Sequence, residues 1–143
     1  MIHDKENLFS DAQAVTADAA STNYIDLGAV RDLGAGENLF VQVSIDVAMA
    51  DTGSNSTCTV TIETDDNSSF SSATTAQTLG TFAAVSAAGT RLIARLQPLA
   101  IAERYVRLKY TMANGDLSAG SFTAFLAHDV DLYRSYAKGY TIS

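Results

Sequence analysis

The chain has 143 residues with a formal net charge of −7, one cysteine and no tryptophan. This length fits one domain, which buries roughly 68% of the surface its unfolded chain exposes, enough for a core without staples. A lone cysteine excludes an intrachain disulfide, and the acidity argues against a phosphate-binding surface, since nucleic-acid recognition needs clustered Lys and Arg. No apolar run approaches about 18 residues and the start lacks a basic-then-apolar signal, so neither a membrane span nor a cleaved signal is expected.

The polar segment Asn7–Thr16 carries the adjacent apolar pair Leu8 and Phe9 and reads as an N-terminal arm over residues 1–15, docking through that pair. A β-domain is expected over residues 16–131, and a Tyr-rich C-terminal arm over 132–143. Within the domain, Thr22–Leu27 reads as a short strand ended by Gly28, and Gly34 and Gly36 punctuate a turn. Val41, Val43, Ile45 and Val47 then alternate with polar residues, as do Cys58, Val60 and Ile62, the signature of strands with one buried face. The polar loop Asp51–Ser56 between these two runs suggests an antiparallel hairpin with a wide turn.

Glu63 to Phe70 reads as a turn rich in residues that bond their own backbone. Thr78–Ala84 and Thr90–Leu96 are weaker strands, the second closed by Pro98. Val106, Leu108, Tyr110 and Met112 alternate again, and so do Phe122, Ala124, Leu126 and Val130, with Asn114-Gly115 as the turn between. Eight short strands without helical periodicity predict an all-β, antiparallel, jelly-roll-like β-sandwich with extended N- and C-terminal arms.

Chemistry is sparse. Cys58, at an inward strand position, reads as a small hydrophobe, and a nucleophilic role would need a base from His3 or His128. His128 is expected on the strand face of Leu126 as a satisfied core or interface residue. Asp65 and Asp66 read as solvated turn residues with diverging side chains, although oxygen ligands at Asp65, Asp66 and Asn67 leave a hard cation as a minor alternative. Phosphate-loop and nucleophile-elbow sequences are absent, so the expectation is a protein that is not an enzyme and takes no cofactor or metal.

Seven of the nine basic residues lie beyond residue 90, a polarity suited to packing against a neighbouring subunit. Three of the six tyrosines fall in the C-terminal arm, where their apolar faces and low rotamer entropy suit surface contacts.

The phrases Asn7–Thr16 (Asn-Leu-Phe-Ser-Asp-Ala-Gln-Ala-Val-Thr), Ala20–Asn23, Ile25–Gly28, Glu63–Asp66 with Phe70, and Arg104–Tyr110 carry a family likeness. Over most of the chain up to Val130 the sequence resembles the small capsid cement proteins of short-tailed bacteriophages, the Bordetella phage cement protein type. The resemblance implies a structural jelly roll that binds the outer surface of an assembled icosahedral capsid and clamps neighbouring major capsid protein subunits. It implies a homo-oligomer, commonly a dimer, located on the virion and made in the host cytoplasm; charge and hydropathy, as above, predict no nucleic acid or membrane partner. Candidate capsid or subunit contacts are Leu8, Phe9, Arg104, Arg107, Tyr133, Arg134, Tyr136 and Tyr140. If the arms grip the shell, deleting residues 1–11 or 132–143 leaves the sandwich folded but weakens shell binding. The competing reading is a non-catalytic carbohydrate-binding sandwich on a phage particle, with Tyr24 and Phe70 as its stacking rings.

Overall fold

A computed structural model describes residues 4–30, 38–97 and 100–128. Among them, nine strands run in the order β1 (Leu8–Ala14), β2 (Ala19–Ala20), β3 (Ile25–Asp26), β4 (Phe40–Ala50), β5 (Thr57–Asp65), β6 (Thr74–Phe82), β7 (Arg91–Arg95), β8 (Tyr105–Ala113) and β9 (Ala119–Ala127). One sheet has the order β1-β9-β4-β7; the other has the order β2-β8-β5-β6, with β3 also on β8. Every pairing is antiparallel.

With β2 and β3 taken as one interrupted strand, the pairs β5·β6, β4·β7, β2/β3·β8 and β1·β9 nest around the β5–β6 hairpin. Wrapping such a nested hairpin into two sheets produces the strand order of a jelly roll. The polar loop Asp51–Ser56 consequently does not close a hairpin: β4 and β5 belong to opposite sheets, and so do β8 and β9 on either side of Asn114-Gly115. Turn chemistry records where a chain reverses; which sheet it enters next depends on distant pairing.

Inward residues of the two sheets form a single core. Val41, Val43 and Ile45 of β4 and Phe122 and Ala124 of β9 face Cys58, Val60 and Ile62 of β5 and Val106, Leu108 and Tyr110 of β8, all of them buried. Phe122 lies against Tyr110 with ring centroids 5.2 Å apart and against Phe82 at 5.6 Å, so aromatic contact joins the sheets at their centre.

Hydrogen bonds close both flanks of the sandwich. On one, Gln77 of β6 donates from Nε2 to the Arg95 carbonyl (2.9 Å) and accepts at Oε1 from the Gln97 N–H (2.9 Å). Nearby Gly80 admits β7 closely, since a Cβ there would lie 2.5 Å from Leu92 Cδ1. On the other flank, Tyr110 Oη lies 2.9 Å from Ser10 Oγ, which donates to Gln13 Oε1 (2.8 Å). Gln13 in turn accepts from the Thr22 N–H and donates to the Ala20 carbonyl.

Several expectations are corrected here. The N-terminal arm expected over residues 1–15 gives way from Leu8 onward to β1, which pairs with β9 and sends Phe9 into the core at 1% exposure. Register shifts between Leu8 and Ser10 and between Ser10 and Gln13 break the period of two, which hides the strand. Val47, expected inward, is 52% exposed because the ladder slips between Ile45 and Val47. His128 lies past the end of β9 and is exposed, not on the core face of a strand. The C-terminal arm lies outside the described residues, as do His3, Arg31, Gly34, Gly36, Pro98 and Val130.

Candidate functional site

On β8, alternation buries Val106, Leu108 and Tyr110 and turns Tyr105, Arg107 and Lys109 to the outer face. Register then supplies partners. Arg107 sits opposite Glu63 of β5, and its Nε and Nη2 approach Glu63 Oε2 at 2.9 and 2.8 Å. Tyr105 sits opposite Asp26 of β3, and the preceding residue, Arg104, grips Asp26 with two bonds, Nε to Oδ1 at 2.7 Å and Nη2 to Oδ2 at 2.8 Å. The Arg104 guanidinium, helped by the Gly28 N–H, holds the Asp26 carboxyl down at about 2. This pair is well exposed, so its contribution to stability is small and its value lies in fixing the guanidinium plane.

Those two guanidiniums bracket three rings. Arg104 Cζ stands 5.0 Å from the centroid of Tyr105, and Arg107 Cζ stands 4.2 Å from that of Phe70. Tyr24 joins them edge-on, 5.7 Å from Tyr105 and 5.9 Å from Phe70. The result is a continuous shelf, Arg104–Tyr105–Tyr24–Phe70–Arg107, held in place by carboxylates behind it. Tyr24 is 49% exposed while Phe70 is only 9% exposed, so Tyr24 is the ring of the pair open to solvent. Rigid aromatic area beside oriented Arg is the composition that dominates binding hot spots.

Asp65 closes β5 directly beneath this shelf and is not the solvated turn residue expected. It is fully buried: its Oδ1 accepts from the Asn67 N–H (2.9 Å) and its Oδ2 from the Ser72 N–H (2.8 Å), with the Ser72 hydroxyl 3.2 and 3.3 Å from the two oxygens. Burial opposes its charge, but these donors outweigh the penalty and lower its pKa. Asp66 is shifted upward, first by a side-chain hydrogen bond with Asp65 and by that carboxylate's charge, then by burial and by Glu103, so the two carboxyls interact and do not diverge as expected. Among the described residues no three His, Cys, Asp or Glu side chains form a metal-binding group. The buried Cys58 thiol is pushed up to about 12 by desolvation, reinforced by the charge of Asp18.

Of the sequence-derived contact residues, Arg104 and Arg107 come together in the shelf. Phe9 is core. Leu8 is on the other sheet, half-buried beside a shallow 490 Å³ cavity that Lys5, Asp11, Asn23 and Thr123 also line. Tyr133, Arg134, Tyr136 and Tyr140 lie outside the described residues. Sequence reasoning missed Tyr105 and Asp26; the spacing of Tyr105 and Arg107 carries a signal for the first, whereas nothing local announces that β3 meets β8.

A jelly-roll sandwich with a rigid aromatic and arginine surface is the class that fold and site define. The sequence profile of the Bbp16 family matches residues 9–126, which span the sandwich from β1 to β9. The chain belongs to the Bbp16 family, a bacteriophage protein family. A search of curated proteins returns no match.

Proposed function

We propose that the protein is a capsid cement, or decoration, protein that binds the outer surface of the assembled phage shell and clamps neighbouring major capsid protein subunits against internal DNA pressure. Membership of a phage family over nearly the whole sandwich is the observation that carries this reading. The physics agrees with it. A shell brace needs stiffness and a repeated modest contact, because symmetry multiplies each contact over the particle. The flank-bridging glutamines and the aromatic centre provide the stiffness, and the Tyr24 shelf provides a prearranged contact that loses little entropy on docking. A homodimer on the virion exterior fits the same role.

Co-sedimentation with empty capsids tests the proposal. Wild type is expected to pellet saturably, and Tyr24→Ala to reduce apparent affinity by roughly thirtyfold, the effect of removing a hot-spot residue. A folded wild-type protein that stays in the supernatant overturns it. The carbohydrate-binding alternative draws on the same exposed ring; saturable binding on a glycan array, abolished by Tyr24→Ala, would favour it instead.

A further inference from the structure

Between Asn67 and Ser72 the chain makes a tight turn whose two ends bond to one carboxylate, that of Asp65. Phe70 lies between those ends with φ of +51°, a left-handed conformation disfavoured for a bulky side chain. It persists only when its surroundings over-determine it. Within the turn, the Phe70 N–H reaches the Asn67 carbonyl (3.0 Å), and Asn67 Oδ1 accepts from the N–H and hydroxyl of Ser69. These bonds all run to Asn67, which Asp65 holds at one end of the turn as it holds Ser72 at the other. Glu63 and Asp65, two residues apart on β5, therefore act on the two halves of one cation–π pair: Glu63 orients Arg107, and Asp65 fixes the turn that carries Phe70 beneath it.

We propose that Asp65 is the positioning residue of the shelf, a buried latch whose charged carboxylate holds Phe70 under Arg107 and against Tyr24 in docking geometry. This rests on the reading of the shelf as the capsid contact. Two backbone amides and the Ser72 hydroxyl donate to Asp65 and need an acceptor at both oxygens, and the neighbouring Asp66 carboxyl is a further side-chain hydrogen-bond partner. An amide side chain accepts at one position and presents N–H at the other, so Asp65→Asn sets donor against donor at Asn67 or at Ser72.

The experiment compares wild type, Asp65→Asn, Ser72→Ala and Phe70→Leu. Arg107 Nε–H is followed by NMR, where the Phe70 ring current shifts it, and binding is read by co-sedimentation with empty capsids. With the β4 and β9 amide signals unchanged, Asp65→Asn is expected to move the Arg107 Nε–H resonance to its position in Phe70→Leu. Capsid affinity should fall on the order of tenfold in both variants. Ser72→Ala keeps the backbone donor, so it should give a smaller displacement in the same direction, and this variant decides the matter if Asp65→Asn does not fold. An Arg107 resonance at the wild-type position in folded Asp65→Asn, or in Ser72→Ala where that variant alone folds, overturns the latch. Should wild type not bind capsids, the cement reading fails by itself, and the resonance still decides whether Asp65 positions Phe70.

Discussion

Phe9→Ala separates a structural role for the N-terminal strand from a gripping one. Phe9 is 1% exposed in the sandwich core, and its carbonyl accepts the Asn23 N–H at 2.9 Å, which fastens the segment joining β2 and β3. Truncating a fully buried phenylalanine costs about 3–5 kcal/mol, from lost transfer energy and the cavity left behind. Against a total stability of roughly 5–15 kcal/mol, that is a large share. At about 3 °C per kcal/mol for a chain of this size, the thermal midpoint should drop by roughly 10–15 °C. Its neighbour Leu8, half-buried on the outer face, should cost about 1 kcal/mol as Leu8→Ala. Circular dichroism melts of the two variants provide the comparison. Deleting residues 1–11 removes Phe9 and Ser10 together, so the truncated chain should unfold or aggregate instead of persisting as the folded body expected from the sequence. A Phe9→Ala melt within about 2 °C of wild type would refute the argument, because it would mean that β1 is dispensable to the core.

The Ser10–Tyr110 bond predicts an asymmetric mutant cycle. Ser10 donates to Gln13, so the Tyr110 hydroxyl is the donor to Ser10; Ser10→Ala orphans a buried phenol and should cost about 1–3 kcal/mol, while Tyr110→Phe should cost about 1. Urea unfolding of the singles and the double should show coupling above about 0.5 kcal/mol, and additivity would sink the network. The loop at Asp51 predicts an acid limb. The Asn55 N–H, with the Gly53 and Ser56 amides, lowers the Asp51 carboxyl from 3.8 to about 2. Its folded-state pKa is depressed, so its stabilisation is complete above about pH 4 and is lost as pH falls through about 2. Asp51→Asn should flatten that part of the stability profile, measured by denaturation at graded pH; an unchanged slope contradicts the assignment.

Period-two alternation made the core legible because a strand with one dry face has no other way to place its apolar residues. Val41, Val43, Ile45, Val60, Ile62 and Leu108 lie where that pattern puts them. It failed where the ladder slips. Bulges in β1 disguise Phe9 as an arm residue, and the slip after Ile45 exposes Val47. Thr74–Phe82 starts four residues before the strand expected from Thr78, since a run of threonine and small residues has no apolar period to read. The shelf was half visible. Arg104 and Arg107 drew notice as contact residues and Tyr24 and Phe70 as stacking rings, but the register of β3 and β5 on β8, the first set by pairing across some 80 residues, is what brings them to one place. Asp65 illustrates the limit: an acid in a polar turn looks solvated unless one knows that its neighbours point their N–H groups inward.

The concentration of basic residues late in the chain suggested complementarity with another subunit. Nested strand pairing gives two of them an internal explanation, because it lays the late strand β8 between the early strands β3 and β5, where Arg104 meets Asp26 and Arg107 meets Glu63. Their charges are therefore largely compensated before any partner arrives. What remains for docking at the shelf is planar area and shape, which salt screens little, in contrast to contacts between opposite free charges. Capsid binding through the shelf should then change less than about threefold between 0.05 and 0.5 M salt, whereas a contact carried by long-range attraction should weaken by tenfold or more. A steep salt dependence in co-sedimentation would move the contact away from Arg104 and Arg107 toward cations such as Arg91 and Arg95, which are exposed on β7 and form no ion pair with a described residue.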